Sequence, residues 1–177
     1  NAIAVVDLTK NEISEIKSLG FVDFSKEENA IDLIADDQYD AKTYPDTYGV
    51  RMPDGISLYE KDGKTYLLTT NEGDSREWGE EDSSQYFSNE KKVTVVAADQ
   101  TKAKKVRALD PDMTAGSEDG KTYLYGSRSF SIFDTDTMEL VYDSANAFEQ
   151  KTAEVLAKYF NCSNDDNAAD GRSQKKG

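Results

Sequence analysis

Asp62-Gly63-Lys64-Thr65-Tyr66-Leu67 recurs unchanged as Asp119-Gly120-Lys121-Thr122-Tyr123-Leu124, and the reading of this doubled word decides the fold class. Asp-Gly is a tight-turn dipeptide because glycine accepts positive φ, and Thr-Tyr-Leu then starts an extended run. After each copy come a short apolar strand, a polar turn and a second strand: residues 93–98 then 104–109, and residues 130–133 then 140–142. The same pattern opens the chain, with residues 3–8, a turn at Thr9-Lys10-Asn11 and a run from Ile13. Aligned on Val5, Val95 and Ile132, the copies are offset by 90 and 37 residues. The second offset is close to the ~40–45-residue period of propeller blades, and insertions stretch the first. A strand pair repeated this way cannot bury both its faces alone, so stacked copies must supply the core. The expectation is a mainly β chain, a fragment of a β-propeller comprising two to three blades of antiparallel strands over residues 1–160.

Two segments interrupt the pattern. Residues 71–90 form a long polar insertion carrying Glu72, Asp74, Glu77, Glu80, Glu81 and Asp82, and long loops in compact domains are functional or disordered. The second is a helix expected near residues 147–159. Asn146 followed by Glu149 makes an N-cap and capping-box pattern, and Phe148, Val155, Leu156, Tyr159 and Phe160 recur at helical spacing on one face, which predicts packing. Residues 161–177 are rich in Asn, Asp, Ser and Gly and read as a polar loop or tail.

Composition removes several function classes. With 21 Lys and Arg against 35 Asp and Glu, the net charge is −14, so the surface repels phosphate backbones and attracts cations. Nucleic acid is excluded as an expected partner. No apolar run is long enough to span a bilayer. The chain contains no histidine, which rules out a Ser-His-Asp triad, a Cys-His pair and the HExxH zinc motif within it. Cys162 is the single cysteine, so no intrachain disulfide forms, and it reads as a bystander next to an Asn161-Cys162-Ser163 sequon. Leu, Ile, Val and Phe total 34 of 177 residues, a thin core that suits a slice of a larger fold. The chain opens on Asn1 with no initiator Met and no basic-then-apolar leader, which reads as a processed or cloned fragment with any export signal outside this sequence.

The strongest site candidate is the run Asn71-Glu72-Gly73-Asp74-Ser75-Arg76 at the end of a predicted strand. Asn71, Glu72 and Asp74 supply the oxygens that a hard cation such as calcium requires, and Gly73 allows close backbone approach. Arg76 instead suits a carboxylate or phosphate, held by its planar fork. Arg128, in Gly126-Ser127-Arg128-Ser129-Phe130-Ser131, reads either as a second ligand-binding group or as a structural ion pair. Asp110-Pro111-Asp112 begins like a calcium loop, but Ala115 and Lys121 stand where an EF-hand needs Gly and Glu. Asn164, Asp165, Asp166, Asn167 and Asp170 form an oxygen-rich cluster in the tail, read as solvated. No catalytic residue stands out.

Together these words resemble the choice-of-anchor I family of large secreted bacterial proteins, which is similar to animal mesenchyme-specific cell-surface glycoproteins. The matching stretches are Ala2-Ile3-Ala4-Val5-Val6-Asp7-Leu8, Leu19-Gly20-Phe21, Pro53-Asp54-Gly55-Ile56, residues 62–67, 71–76, 128–134 and 140–144, Phe148-Glu149-Gln150, and residues 164–177. The resemblance implies a β-propeller, export, and an extracellular or cell-surface location. Members often carry alkaline phosphatase-like, phytase-like or esterase-like labels. Two readings follow. The first is a non-catalytic propeller module that binds a cation and an unknown ligand or surface partner, and packs against the remaining blades of its parent. The alternative is a piece of a calcium-dependent phosphoesterase whose metal site includes Glu72 and Asp74.

Overall fold

The computed structural model describes residues 1–157 and 160, apart from 35 and 37. Thirteen strands and one α-helix follow in chain order. A hairpin of β1 (Ala2–Asp7) and β2 (Glu12–Ser18) opens the chain. Then come β3 (Phe21–Asp23), β4 (Thr47–Val50), β5 (Ile56–Lys61), β6 (Lys64–Thr70), β7 (Glu77–Trp78) and β8 (Phe87–Ser88). The path continues through β9 (Glu90–Val96), β10 (Lys102–Leu109), β11 (Thr122–Tyr125), β12 (Phe130–Asp134) and β13 (Leu140–Asp143) to α1 (Ala147–Val155). Four sheets result: β1-β2, β3-β4-β11-β10-β9, β13-β12-β6-β5 and β7-β8.

The expected hairpins form because their turns are local. Asp62 and Gly63 both take positive φ, 52° and 76°, the pair of conformations that a two-residue turn matched to strand twist demands. They join β5 to β6 with Lys61 opposite Lys64. Asp7 Oδ1 accepts from the Thr9 amide at 2.8 Å and folds the β1-β2 turn.

The second copy of the repeated word behaves differently. Gly120 again has positive φ, but the strand that follows it, β11, leaves a long loop and inserts between β10 and β4. It pairs parallel with β4, Thr122 opposite Thr47 through Tyr125 opposite Val50. All other strand pairs are antiparallel. The antiparallel-blade expectation is corrected at this point: a parallel neighbour needs a long crossover, and the chain between β4 and β11 supplies it while laying β5 and β6 into the other sheet.

The main core lies on one face of the five-stranded sheet. Val95, Val106, Leu124 and the small Ala97, Ala103 and Ala108 meet Phe24, Ile31, Leu33 and Tyr44 from the long β3-β4 connection. The alanines let that irregular segment lie close to the sheet, where burial of each large side chain contributes about 1.5–3 kcal/mol. The four-stranded sheet has a smaller cluster of Leu19, Leu67, Phe133 and Met138. Its two edge strands leave Ile56, Leu58, Leu140, Val141 and Tyr142 exposed, and the β1-β2 hairpin exposes Val6, Ile13 and Ile16.

Helix α1 departs from expectation in three ways. It ends at Val155, short of residue 159. Its apolar stripe packs only in part: Phe148, 52% exposed, meets the Phe130 ring with centroids 5.6 Å apart, Val155 and Leu156 are exposed, and Phe160 is buried edge-on to Tyr39. The capping box does not close either, since the Asn146 side chain caps nothing and accepts from Gln150 Nε2 at 2.9 Å. The reason is Glu149, 5% exposed, whose carboxylate is drawn inward by more distant groups described below and turns the stripe outward. Tyr159, Cys162 with its sequon, and the 164–170 oxygen cluster lie outside the described residues.

Candidate ligand and cation site

Strand β6 delivers Asn71 into a buried polar seam rather than to solvent. Asn71 is 1% exposed. Its amide nitrogen donates to Ser129 Oγ at 2.9 Å and Ser131 Oγ at 2.7 Å, and Oδ1 accepts from Thr69 Oγ1 at 3.0 Å. Ser131 in turn donates to Asp143 Oδ2 at 2.8 Å, and that oxygen pairs with Arg51 Nε at 3.1 Å. The Arg51 guanidinium continues to the Leu19 carbonyl at 3.0 Å. Buried polar groups require such partners, and here the partners join β6, β12, β13 and the β2-β3 connection into one network.

Glycine makes the crossing beneath this seam. The Asn71 backbone donates to the Ser129 carbonyl at 2.9 Å and accepts from the Ser127 amide at 3.0 Å. A Cβ on Gly73 would lie 2.1 Å from the Gly126 nitrogen. Two backbones therefore touch where Gly73 crosses Gly126, and the close approach expected of Gly73 has a named partner. Glu72 and Asp74, flanking Gly73, point to solvent. Of the three expected oxygen ligands, two are thus presented outward on a rigid clasp, while the Asn71 side chain is committed to the seam.

Asp74 belongs to a wider negative field. Glu90, its side chain 9% exposed and ion-paired to Arg107 at 2.9 Å, has its carboxyl pKa raised. Burial raises it most, Arg107 opposes, and Glu77 and Asp74 add to the rise. The Tyr125 hydroxyl, buried and donating to the Asn89 carbonyl at 3.0 Å, is also held protonated well above its ordinary range, chiefly by burial and then by Glu90 and Glu77. Glu77 was legible in the acidic insertion, whereas Asn89 and Glu90 were not legible as neighbours of Arg76, Glu77 and Asp74, because the fold of the β7-β8 segment brings them back there.

The two arginines address different surroundings. The Arg76 main chain is held by Asn89, with its amide donating to Asn89 Oδ1 at 2.8 Å. Its exposed guanidinium adds to burial in lowering the pKa of the Asn1 amine. Arg128, at φ 52°, turns to the opposite side of β12 from the serines. Its Nη1 donates to the Asp32 carbonyl at 2.9 Å and to Glu149 Oε1, while Glu149 Oε2 accepts from the Asp32 amide at 3.1 Å. Burial raises the Glu149 pKa more than Arg128 lowers it, and Asp32 is likewise raised by burial. The adjoining cleft, between Phe24, Ile31, Arg128 and Glu149, holds about 10 Å³, room for roughly one water.

The family model of the choice-of-anchor I domain matches residues 1–177. The chain belongs to the choice-of-anchor I family. Membership makes it a cell-surface-associated module. Among curated proteins it is similar to Gigasin-3a of Magallana gigas, 40% identical over 62 residues that cover 32% of this chain and 22% of that protein. The match thus spans about a fifth of its relative's length. No solved structure matches significantly.

This choice-of-anchor I chain thus combines a tight backbone clasp, an outward acidic rim and a buried ion pair. Among the described residues, no three Asp, Glu or Cys side chains converge as a metal cluster, and no helix is long and apolar enough to cross a membrane.

Proposed function

We propose that this choice-of-anchor I chain is a non-catalytic extracellular module, forming blades of a larger propeller and taking up a divalent cation, calcium in the first instance, through Glu72 and Asp74. The observation that carries the cation reading is the Gly73–Gly126 crossing. It fixes the backbone that bears both carboxylates, so their ordering cost is met by the fold rather than by the ion. Two carboxylates with water completing the shell make a weak site, in the millimolar range of extracellular modules. The negative field of Glu77 and Glu90 adds attraction. The propeller reading rests on the apolar rows left exposed on β5, β13 and the β1-β2 hairpin, which further strands of the same kind would cover. Arg76, on the same rim, is the candidate contact for an anionic group of a ligand or surface partner. The alternative, a calcium-dependent phosphoesterase, calls for several converging carboxylates around metal ions, and no observation here favours it.

Calorimetric calcium titration tests the proposal. Wild type should bind at or below a few millimolar, and Glu72→Gln/Asp74→Asn should lose most of that heat while Asp165→Asn/Asp166→Asn keeps it. Loss confined to the second variant would refute the assignment.

A further inference from the structure

The acidic insertion does not lie flat. It rises as a two-stranded arm, β7 and β8, that joins no other sheet among the described residues. Asn89 anchors its base: the Asn89 amide donates to the Arg76 carbonyl at 3.2 Å, and the Asn89 carbonyl accepts from the Asp110 amide at 2.7 Å. At its tip Gly79 takes φ 82°, and a Cβ there would meet the Gln85 carbonyl at 2.8 Å. The Ser83 amide donates to the Glu80 carbonyl at 2.8 Å, so the tip is a folded turn.

This arm carries the chain's one tryptophan. Trp78 sits opposite Phe87 in the register, and their rings stack with centroids 4.0 Å apart and planes inclined by 13°. Stacking satisfies one face of the indole; the residue as a whole remains 57% exposed. Among the described residues, no core cluster includes either ring. An aromatic pair held flat on a rigid arm in water has hydration to lose on contact with a partner, and its free face is an electron-rich surface.

The charge around it selects the partner. Glu72, Asp74, Glu77, Glu80, Glu81, Asp82 and Glu90 surround the arm in sequence, against Arg76 before it and Lys91 and Lys92 after it, and the four acidic residues from Glu77 to Asp82 on the arm itself are exposed. A neutral sugar gains nothing from that field and an anion is repelled. A divalent metal would use the carboxylates but not the ring. A lysine or arginine side chain uses both, laying its cationic head on the indole face while neighbouring basic residues meet the carboxylates.

We propose that the Trp78–Phe87 face of the β7-β8 arm is a docking surface for a basic, Lys/Arg-rich peptide segment of a partner protein. It does not rest on the calcium reading, because Trp78 takes no part in cation coordination and the variants that test it leave Glu72 and Asp74 unchanged.

The test is binding of a fluorescently labelled oligolysine peptide to the whole chain, followed by anisotropy, with Trp78 emission as a second signal. Wild type should bind, with quenching or a shift of Trp78 emission, and the affinity should fall as salt rises. Trp78→Ala should weaken binding about two- to fivefold, the scale of an exposed cation–π contact. Trp78→Phe keeps an aromatic face and should retain most of it. Glu80→Gln/Glu81→Gln/Asp82→Asn, at the exposed tip, should weaken binding by a similar or larger factor. Trp78→Ala binding as tightly as wild type would reduce the effect to charge alone and overturn the proposal. So would a neutral oligosaccharide that perturbs Trp78 while oligolysine does not, or the absence of oligolysine binding at low salt.

Discussion

Replacing Gly73 by alanine should damage the protein far more than replacing Gly63, although the substitutions are chemically identical. At Gly63 a Cβ meets nothing within 4 Å, and the only obstacle is a φ of +76°, which costs an L-residue about 1–2 kcal/mol. At Gly73 the new carbon would lie 2.1 Å from the Gly126 nitrogen and 2.4 Å from the Tyr125 carbonyl carbon. Both are backbone atoms that no rotamer change can move. Restoring ordinary contact forces the two segments apart by more than an ångström. The bonds that span this crossing are Asn71 N–H to Ser129 O, Ser127 N–H to Asn71 O, and the two from Asn71 Nδ2 to Ser129 and Ser131, at 2.7–3.0 Å. At about 1 kcal/mol net apiece, their loss or lengthening approaches 4 kcal/mol, a large fraction of a typical domain's 5–15 kcal/mol. Urea unfolding followed by far-ultraviolet circular dichroism measures both variants. The expected losses are about 1–2 kcal/mol for Gly63→Ala and 3 kcal/mol or more for Gly73→Ala. Equal losses would show that the crossing is not the tight clasp described here.

Three further outcomes follow from the ionisable groups. Arg51→Met leaves Asp143 without its guanidinium and the Leu19 carbonyl without a donor; the unfolding free energy should fall by about 3 kcal/mol more than in a surface Arg→Met change, and a loss below 1 kcal/mol would refute it. Because burial raises the Glu149 pKa above its unfolded value, its contribution is fully present below about pH 4.5 and is lost as pH rises through the folded pKa. Urea midpoints at acidic and neutral pH should therefore fall more steeply with rising pH in wild type than in Glu149→Gln, and the opposite slope would show that the Arg128 pairing dominates. Asp99 is held low, to about 2, chiefly by its hydrogen bond from Lys42; nuclear magnetic resonance titration should find it there and find it returned toward the ordinary carboxylate range in Lys42→Met.

What the sequence by itself determined is the set of structures whose causes are local. The Asp62-Gly63 turn, the β9-β10 and β12-β13 hairpins and the β1-β2 opening depend on residues a few positions apart, and each forms where its turn chemistry places it. The need for a glycine at position 73 was legible too, as was the family. Tertiary structure alone decided the rest, because its causes are distant in the chain. Asn71 looked like a cation ligand until Ser129 and Ser131, 58 and 60 residues on, claimed its amide. Glu149 looked like a cap until the Asp32 amide, 117 residues away, and Arg128 took its carboxylate and rotated the helix stripe outward. The repeated word at Asp119 predicted a turn and a strand, and both form, but that the strand, β11, lies in parallel beside β4 was decided by the sheet. A side chain's type and spacing state what it can bond. Which of the possible partners it meets depends on where the backbone brings two remote segments together, and here that place is the touching pair Gly73 and Gly126.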